Sequence, residues 1–201
     1  MVTVISNATG NISSILNMIK KIGVKAILTD NYDEISKSKI IIFPGVGSFD
    51  TVLQNIYEKK IDKAISNALE NDCKLLGICV GMQALFSESE EGKLKGLNLI
   101  EGKIVKFNFD YNNLKVPHMG WNTVKFDKKS SFNDVLSKNR FYFVHSYFAN
   151  CDDDNDILGL SNYSIEFVSC VKKGNIFGAQ FHPEKSHYFG KKFLKIFLDN
   201  N

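Results

Sequence analysis

The chain has 201 residues, 44% of them hydrophobic and 23% charged, which is the composition of a globular protein large enough to bury a full core. A net charge of +3, a single arginine (Arg140) and lysines spread along the chain argue against a nucleic-acid-binding surface, which uses arginine for its specific contacts. No apolar run is long enough for a membrane span, and the N-terminus lacks the pattern of a secretory signal.

The four cysteines show no C-x-x-C spacing and do not cluster with the histidines, so we expect no metal site. Without an export signal we expect reduced thiols and a cytoplasmic protein. The sequence shows no linker, repeat or low-complexity stretch, which predicts one domain over residues 1–201.

In the first 90 residues, strand-like apolar runs alternate with helical patterns, which predicts a parallel sheet covered by helices on both faces. The predicted strands are VTVIS (2–6), VKAILT (24–29), KIIIF (39–43) and KLLGI (74–78). The predicted helices between them are GNISSILNMIKKIG (10–23) and IDKAISNALENDC (61–73).

From about residue 98 the pattern changes to strands with short loops, which predicts antiparallel additions to the sheet. The chain closes with an amphipathic helix, HYFGKKFLKIFLDN (187–200). The predicted strands are LNLIEGKIVKFNF (97–109), WNTVKF (121–126), FYFVHSYF (141–148), DILGL (156–160), IEFVSCVKK (165–173) and NIFGAQF (175–181).

The stretch GICVGM (77–82) has the G-x-nucleophile-x-G form of a nucleophile elbow, with cysteine in place of serine. A strand would turn sharply there into the helix VGMQALF (80–86), and glycines would leave room for the turn. We expect Cys79 at the helix N-terminus, where the dipole favours the thiolate, and the N–H of Val80 where an oxyanion develops. The alternative is a core cysteine between two packing glycines.

The stretch QFHPEKS (180–186) offers the base that a thiol nucleophile needs and the group that orients the base. His182 ends the last predicted strand, and Glu184 follows two positions later. The other three histidines lack such a carboxylate neighbour. We expect His187 to be exposed near the final helix and His145 to be structural or to line the site.

The loop PGVGSF (44–49) follows a buried strand at the same edge as the elbow. Its glycines free the backbone to present N–H groups, so it is placed to complete an oxyanion hole. It lacks the lysine and threonine of a phosphate-binding loop. The alternative is a plain strand-to-helix turn.

These three stretches, in this order and spacing, resemble the class I (triad-type) glutamine amidotransferases over the whole chain. Two further stretches, VPHMGWN (116–122) and FYFVHSY (141–147), are similar to the glutaminase subunit of imidazole glycerol phosphate synthase, the amidotransferase of histidine biosynthesis. The resemblance implies an α/β three-layer sandwich with a mainly parallel central sheet and antiparallel additions.

The resemblance also implies roles for the site residues. Cys79 would attack the side-chain amide carbon of glutamine, His182 would transfer the proton to the leaving ammonia, and Glu184 would orient His182. No cofactor is implied, because a thiolate and an amide suffice. The family pattern places the oxyanion hole at Val80, Val46 and Gly47, and glutamine binding at Gly45, Gly47, Gln83, Ser146 and Tyr147.

In that family the ammonia passes to a (β/α)₈-barrel cyclase subunit, which forms imidazole glycerol phosphate. The resemblance implies a heterodimer with an interface at Asn11, Pro117, Met119 and Trp121. Trp121 is the only tryptophan and lies in a glycine-containing loop, as aromatic interface anchors do. The alternative is a core tryptophan.

The first loop, Ser6 to Asn11 (SNATGN), departs from the usual family form DYGxGN. A paralogous glutaminase that feeds ammonia to a cyclase-like partner and an amidating enzyme of surface-sugar synthesis is therefore an alternative. Two others are a stand-alone triad hydrolase and an inactive binding module. The PHMGWN stretch argues against the hydrolase, and an intact Cys-His-Glu set argues against the inactive module.

Overall fold

The computed structural model describes residues 1–6, 11–108, 115–136 and 138–199. Its first half alternates strands and helices as predicted. Helix α1 ends at Gly23, whose left-handed φ of 90° suits glycine, and helix α3 is capped by the Ser48 side chain, which accepts from the Thr51 N–H. The elements are β1 (Val2–Ile5), α1 (Ile12–Ile22), β2 (Ala26–Thr29), α2 (Tyr32–Ser36), β3 (Ile40–Gly45), α3 (Phe49–Glu58), α4 (Ile61–Glu70), β4 (Lys74–Cys79) and α5 (Val80–Gln83).

The second half is mainly antiparallel and ends in a long helix, as predicted. Strand β12 has the predicted bounds, and the other strands are shorter than or displaced from the predicted runs. The elements are β5 (Glu88–Ser89), β6 (Gly102–Lys106), β7 (His118–Asn122), β8 (Lys125–Phe126), α6 (Ser131–Val135), β9 (Phe141–His145), β10 (Tyr147–Cys151), β11 (Ile157–Tyr163), β12 (Ile165–Lys173), β13 (Ile176–Ala179) and α7 (His187–Asp199).

The main sheet has the strand order β2-β1-β3-β4-β13-β12-β10-β6-β5, with β11 and β8 attached beside β12. Strands β2, β1, β3, β4 and β13 are mutually parallel, and β12, β10 and β6 continue antiparallel. Helices α1 and α6 both contact α7 and form one group, and helices α2 and α3 both contact α4 and form another. The predicted class, an α/β sandwich with a mainly parallel sheet and antiparallel additions, is confirmed.

Strands β1, β3, β4 and β13 end at the same edge of the sheet because they run parallel. Strands β3 and β4 are each buried over their last five residues, which explains their apolar runs. The loop Val46–Gly47, the residue Cys79 and the segment Gln180–His182 therefore meet at one edge. Of the first loop that departs from the family form, residues 7–10 are outside the described part of the chain.

Most predicted elements are wrong in extent, and three of them show how contacts with distant residues cause the difference. The helix predicted over 80–86 is one turn long, because the N–H groups of Leu85 and Phe86 bond the carbonyls three residues back instead of four. The carbonyls of residues 84–86 then accept from N–H groups of residues 97–100. The run WNTVKF divides between β7 and β8, because the Asn139 side chain bonds both the N–H and the carbonyl of Val124.

The run FYFVHSYF divides at Ser146. Strand β9 pairs with β7 in a separate small sheet, whereas β10 pairs with β6 and β12 in the main sheet. The break turns the chain from one sheet to the other just beside Cys79's edge. Phe141 of β9 stacks on Phe181 at 4.0 Å between ring centroids, which fixes the small sheet against the segment that carries His182.

None of the helices within the described ranges is long and apolar enough to span a bilayer.

Candidate active site

Cys79 occupies a sharp corner between β4 and α5. Its φ of 55° and ψ of −113° are strained for a non-glycine residue, as a nucleophile elbow requires. A Cβ on Gly77 would lie 2.6 Å from the Gly81 carbonyl oxygen, and a Cβ on Gly81 would lie 2.0 Å from the Phe43 carbonyl oxygen. These two glycines serve the turn, in agreement with the interpretation of GICVGM as an elbow.

The helix dipole contributes less at this corner than the sequence suggested. Helix α5 contains only four residues, so few aligned peptide dipoles point at Cys79. Stabilisation of a thiolate must come from side chains and individual N–H groups. The candidate N–H donor that follows Cys79 directly in the sequence belongs to Val80, which is buried.

His182 is held by a compact set of hydrogen bonds. Its N–H donates to the Tyr142 carbonyl at 2.9 Å, and its carbonyl accepts from the Ser186 hydroxyl at 2.6 Å. The Ser186 oxygen in turn accepts from the Tyr142 N–H at 3.0 Å. Strand β9 and the short helix Pro183–Lys185 together therefore fix the backbone of the predicted base.

The imidazole of His182 and the carboxylate of Glu184 form a buried ion pair. Nδ1 of His182 lies 2.8 Å from Oε1 of Glu184, and both side chains are 1% exposed. This pairing of base and orienting group is the arrangement that QFHPEKS predicts. It leaves Nε2 as the ring nitrogen for the thiol.

The charge on His182 depends on both neighbours. Burial alone lowers its pKa, but Cys79 and Glu184 outweigh burial and raise the pKa to about 10. Among the described residues, Nε2 forms no hydrogen bond of ordinary geometry, yet it is close enough to Cys79 for the sulfur to influence this pKa. The arrangement favours the imidazolium form of His182 between Cys79 and Glu184.

A cavity of about 600 Å³ opens at this edge of the sheet, a size that suits a small ligand. It gathers most of the predicted catalytic, oxyanion and substrate positions. The predicted residues that line it are Asn11, Val46, Gly47, Cys79, Val80, Gln83, Pro117, Ser146, Tyr147 and His182.

Gly45 and Glu184 are not among the lining residues. Glu184 lies behind His182, as an orienting residue should. Gly45 ends β3 beside Cys79, and a Cβ there would lie 2.5 Å from the Gly81 nitrogen. The structure gives Gly45 a packing role beneath the elbow, and its predicted contact with substrate stays a prediction.

Gln83 has a defined orientation in the cavity wall. Its Nε2 donates to the Tyr147 carbonyl at 3.2 Å and to Oε1 of Gln180 at 3.0 Å. Both amide hydrogens are thus used, and its Oε1 remains as the atom for a ligand donor. His145 also lines the cavity, as expected, and His187 is exposed at the start of α7, as expected.

Sequence reasoning missed Gln180, Glu91 and Lys185. Gln180 is fully buried, and its Nε2 lies 3.8 Å from Sγ of Cys79. Its place two residues before the predicted base was a usable signal. Glu91 and Lys185 line the cavity with opposite charges. Burial raises the pKa of Glu91, whose Oε2 accepts from the Phe49 N–H at 2.8 Å.

Three of the four predicted interface residues lie on one face of the segment around β7, and the fourth, Asn11, precedes α1. Pro117, Met119 and Trp121 alternate with inward residues and are all exposed, Met119 by 62% and Trp121 by 43%. Trp121 is therefore not a core tryptophan; its ring stacks on the exposed His187 at 5.7 Å. An exposed apolar strip of this kind beside a cavity is typical of a docking surface.

The described residues contain no group of three or more His, Cys, Asp or Glu side chains placed to hold a metal ion. The chemistry that the site can support is nucleophilic attack by a thiolate on a carbonyl or amide carbon. The base, its orienting carboxylate and the candidate oxyanion donors are all at one edge of the sheet.

The family model "Glutamine amidotransferase class-I" matches residues 3–200. The chain belongs to the class I glutamine amidotransferases. Among curated relatives of this amidotransferase, "Imidazole glycerol phosphate synthase subunit HisH 2" of Methanococcus maripaludis is 50% identical over 200 residues, covering 98% of each chain. The HisH subunit of Leptospira interrogans is 41% identical over 201 residues, again covering 98% of each chain.

Solved structures agree on the fold at low sequence identity. A chain from the structure of PurLQS of Thermotoga maritima has a TM-score of 0.74 at 19% identity, covering 98% of this amidotransferase and 97% of that chain. A crystal structure of a glutamine amidotransferase has a TM-score of 0.72 at 17% identity, covering 98% of both chains. These likenesses concern the fold alone.

Proposed function

We propose that this amidotransferase is the glutaminase subunit of an imidazole glycerol phosphate synthase, and that it hydrolyses glutamine to glutamate and ammonia for histidine biosynthesis. The observation that carries the proposal is Cys79 at a strained elbow, inside a cavity that also exposes His182, with Glu184 paired behind it. The HisH relatives, at up to 50% identity over nearly the full chain, support the choice of synthase.

In the proposed acylation step, Sγ of Cys79 attacks the side-chain carboxamide carbon of glutamine. His182 then gives its Nε2 proton to the departing nitrogen, which leaves as ammonia, and a glutamyl thioester remains. Glu184 holds the imidazole through Nδ1 and stabilises its positive charge. The Val80 N–H and an N–H of the Val46–Gly47 loop hold the developing oxyanion.

In the proposed deacylation step, His182 removes a proton from a water molecule that attacks the thioester carbon. The carbon–sulfur bond breaks, glutamate leaves, and Cys79 returns to its starting state. The cavity suits a zwitterionic substrate, because Glu91 and Lys185 offer opposite charges for its ammonium and carboxylate groups. Gln83, Ser146 and Tyr147 complete the proposed binding wall.

The proposed partner is a (β/α)₈-barrel cyclase subunit that takes the ammonia, and together they form a lyase heterodimer. Asn11 and Pro117 line the cavity, and Met119 and Trp121 extend an exposed strip beside it. This surface would bring the ammonia exit next to the partner. The four cysteines are all free thiols, which supports a cytoplasmic setting, and the family match over 3–200 supports a single domain.

The test is glutamine hydrolysis by the purified chain mixed with the same organism's histidine-pathway cyclase subunit, with and without its ribulosyl substrate. We expect the cyclase subunit to activate glutamine hydrolysis strongly. Cys79→Ala and His182→Ala should abolish this hydrolysis, and Glu184→Ala should leave a small remaining activity. Cys151→Ala removes a partly exposed thiol that does not line the cavity and should leave activity unchanged. Full activity in Cys79→Ala would refute the mechanism.

The partner has its own test within this experiment. If the cyclase subunit does not activate hydrolysis while a glutamine-like electrophile labels Cys79 selectively, the triad is correct and the partner is wrong. The paralogue that feeds a surface-sugar amidating enzyme then becomes the function to test. If Cys79 does not label, the chain is an inactive member of the family.

A further inference from the structure

Gln180 lies directly beside the proposed nucleophile because of strand register. Strand β13 runs parallel to β4, with Ala179 opposite Ile78, so the next residues are Gln180 and Cys79. The Gln180 side chain is fully buried, and its Nε2 donates toward Sγ of Cys79 at 3.8 Å. We propose that Gln180 is a positioning residue that holds and stabilises the Cys79 thiolate through this side-chain N–H.

The orientation of the Gln180 amide is fixed by what its other end accepts. Oε1 of Gln180 accepts from Nε2 of Gln83 at 3.0 Å, so Nε2 of Gln180 must be the end that faces the sulfur. Nε2 of Gln83 also donates to the Tyr147 carbonyl at 3.2 Å. If either amide were flipped, two acceptor atoms or two donor atoms would face each other, and such unpaired polar groups are unfavourable in a buried site.

The chain of hydrogen bonds continues into the small sheet. The Tyr147 carbonyl, which can only accept, also accepts from Nδ1 of His145 at 2.8 Å. Nε2 of His145 is therefore an acceptor, and Nδ1 of His118 donates to it at 3.0 Å. His145 must be neutral for its Nε2 to accept, whereas Nδ1 of His118 can donate in either charge state. Burial lowers the pKa of His118 to about 4 and that of His145 to about 3, so both are neutral at pH 7.

The physical reason for such a donor is the short helix after Cys79. One turn of helix offers little dipole to a thiolate, and a thiolate accepts a hydrogen bond more strongly than a thiol does. A buried amide N–H therefore lowers the energy of the reactive form. The inference rests on the proposed role of Cys79 as nucleophile, and it goes beyond it by assigning a residue outside the triad.

The experiment measures the rate of Cys79 alkylation by iodoacetamide as a function of pH, with mass spectrometry to identify the modified cysteine. Gln180→Met keeps the length of the side chain and a weak acceptor for Gln83, but cannot donate to Cys79. Gln180→Leu is the second variant. Far-UV circular dichroism and thermal unfolding select variants that fold.

We expect the pH at half-maximal Cys79 labelling to rise by about one unit in both variants, which makes labelling about tenfold slower below the wild-type midpoint. The charged cavity residues Glu91 and Lys185 and the His182 pair are present in every variant, so they cannot account for a difference. Ser169→Ala is the matched control, because its hydroxyl is equally buried but bonds Ser161 and the Gly159 carbonyl.

The partly exposed Cys151 is an internal reference whose labelling midpoint should stay constant. An unchanged Cys79 midpoint in the folded Gln180 variants, with a reactive wild type, would overturn this inference and leave the proposed function standing. A Cys79 that labels no faster than Cys151 in the wild type would overturn the proposed function and this inference with it. A merely structural Gln180 would lower stability without moving the midpoint.

Discussion

Replacing Glu184 by glutamine removes a buried negative charge while keeping the side chain's size and an acceptor for Nδ1 of His182. Cys79 and Glu184 together raise the pKa of His182 from 6.5 to about 10 against the opposing effect of burial. This net rise of about 3.5 pH units corresponds to about 5 kcal/mol, which is what remains of the two partners' contribution after the opposing effect of burial. Glu184 supplies part of it through a contact of 2.8 Å.

The sign of the pH dependence follows from the raised pKa of His182. Such a group stabilises the fold fully below its unfolded pKa of 6.5, and the contribution declines as the pH rises toward the folded value of about 10. If the carboxylate accounts for half, Glu184→Gln should cost about 2–3 kcal/mol near pH 6. The cost should stay constant until the pH passes the lower folded pKa that His182 has in the variant, and it should then shrink and vanish near pH 10.

The assay is urea-induced unfolding followed by far-UV circular dichroism, for wild type and variant at about pH 6, 8 and 9.5. The matched control is Glu88→Gln, which removes the carboxylate of the exposed pair with Lys95 at 2.9 Å and should change nothing measurable. A stability difference between wild type and Glu184→Gln that is the same at all three pH values would refute the reasoning. It would mean that Glu184 acts by packing alone.

Three further predictions follow from named contacts. Gly81→Ala should lower the free energy of unfolding by about 1–3 kcal/mol, because the new Cβ would lie 2.0 Å from the Phe43 carbonyl oxygen. The control is Gly174→Ala, which has open space around it and should lower the free energy of unfolding by about 1 kcal/mol. Urea unfolding of both variants measures the difference. Burial lowers the pKa of His118 to about 4, so protonation of this histidine in the unfolded chain destabilises the wild type below pH 6.5. Between pH 7 and pH 5, the free energy of unfolding should therefore fall by about 2 kcal/mol less in His118→Phe than in the wild type. An equal fall in both proteins would contradict this. Trp121→Ala should leave the stability of the isolated chain unchanged and weaken cyclase binding about thirtyfold in a titration, whereas unchanged affinity would place the interface elsewhere.

The parts of the fold that could be predicted from sequence are those specified by local spacing. The strands around Cys79, the elbow glycines and the His182–Glu184 pair depend on residues two to four positions apart, and the structure has them as expected. The antiparallel half was predicted in kind but not in extent. Its strand ends depend on partners far along the chain, such as the Asn139 side chain that displaces Val124 from strand pairing.

Gln180 shows why part of the site was beyond local reasoning. Its proximity to Cys79 follows from the register between β13 and β4, two strands about a hundred residues apart in the chain. Gly45, the last residue of β3, shows a second limit, because it packs against Gly81 whether or not it also contacts substrate. Spacing cannot separate a glycine that approaches a ligand from one that approaches the backbone beneath it.

Strand β7 joins the two halves of the proposed function, because its two faces have different surroundings. Met119 and Trp121 face outward in the exposed strip, while His118 faces inward and is hydrogen-bonded to His145 in the cavity wall. A change on the outer face alters docking without removing a buried polar group. A change at His118 removes a member of the hydrogen-bonded series that ends at Cys79. The two faces of β7 can therefore be perturbed independently. The same alternation that makes β7 a strand therefore lets one segment contribute to both the proposed partner surface and the wall of the proposed catalytic cavity.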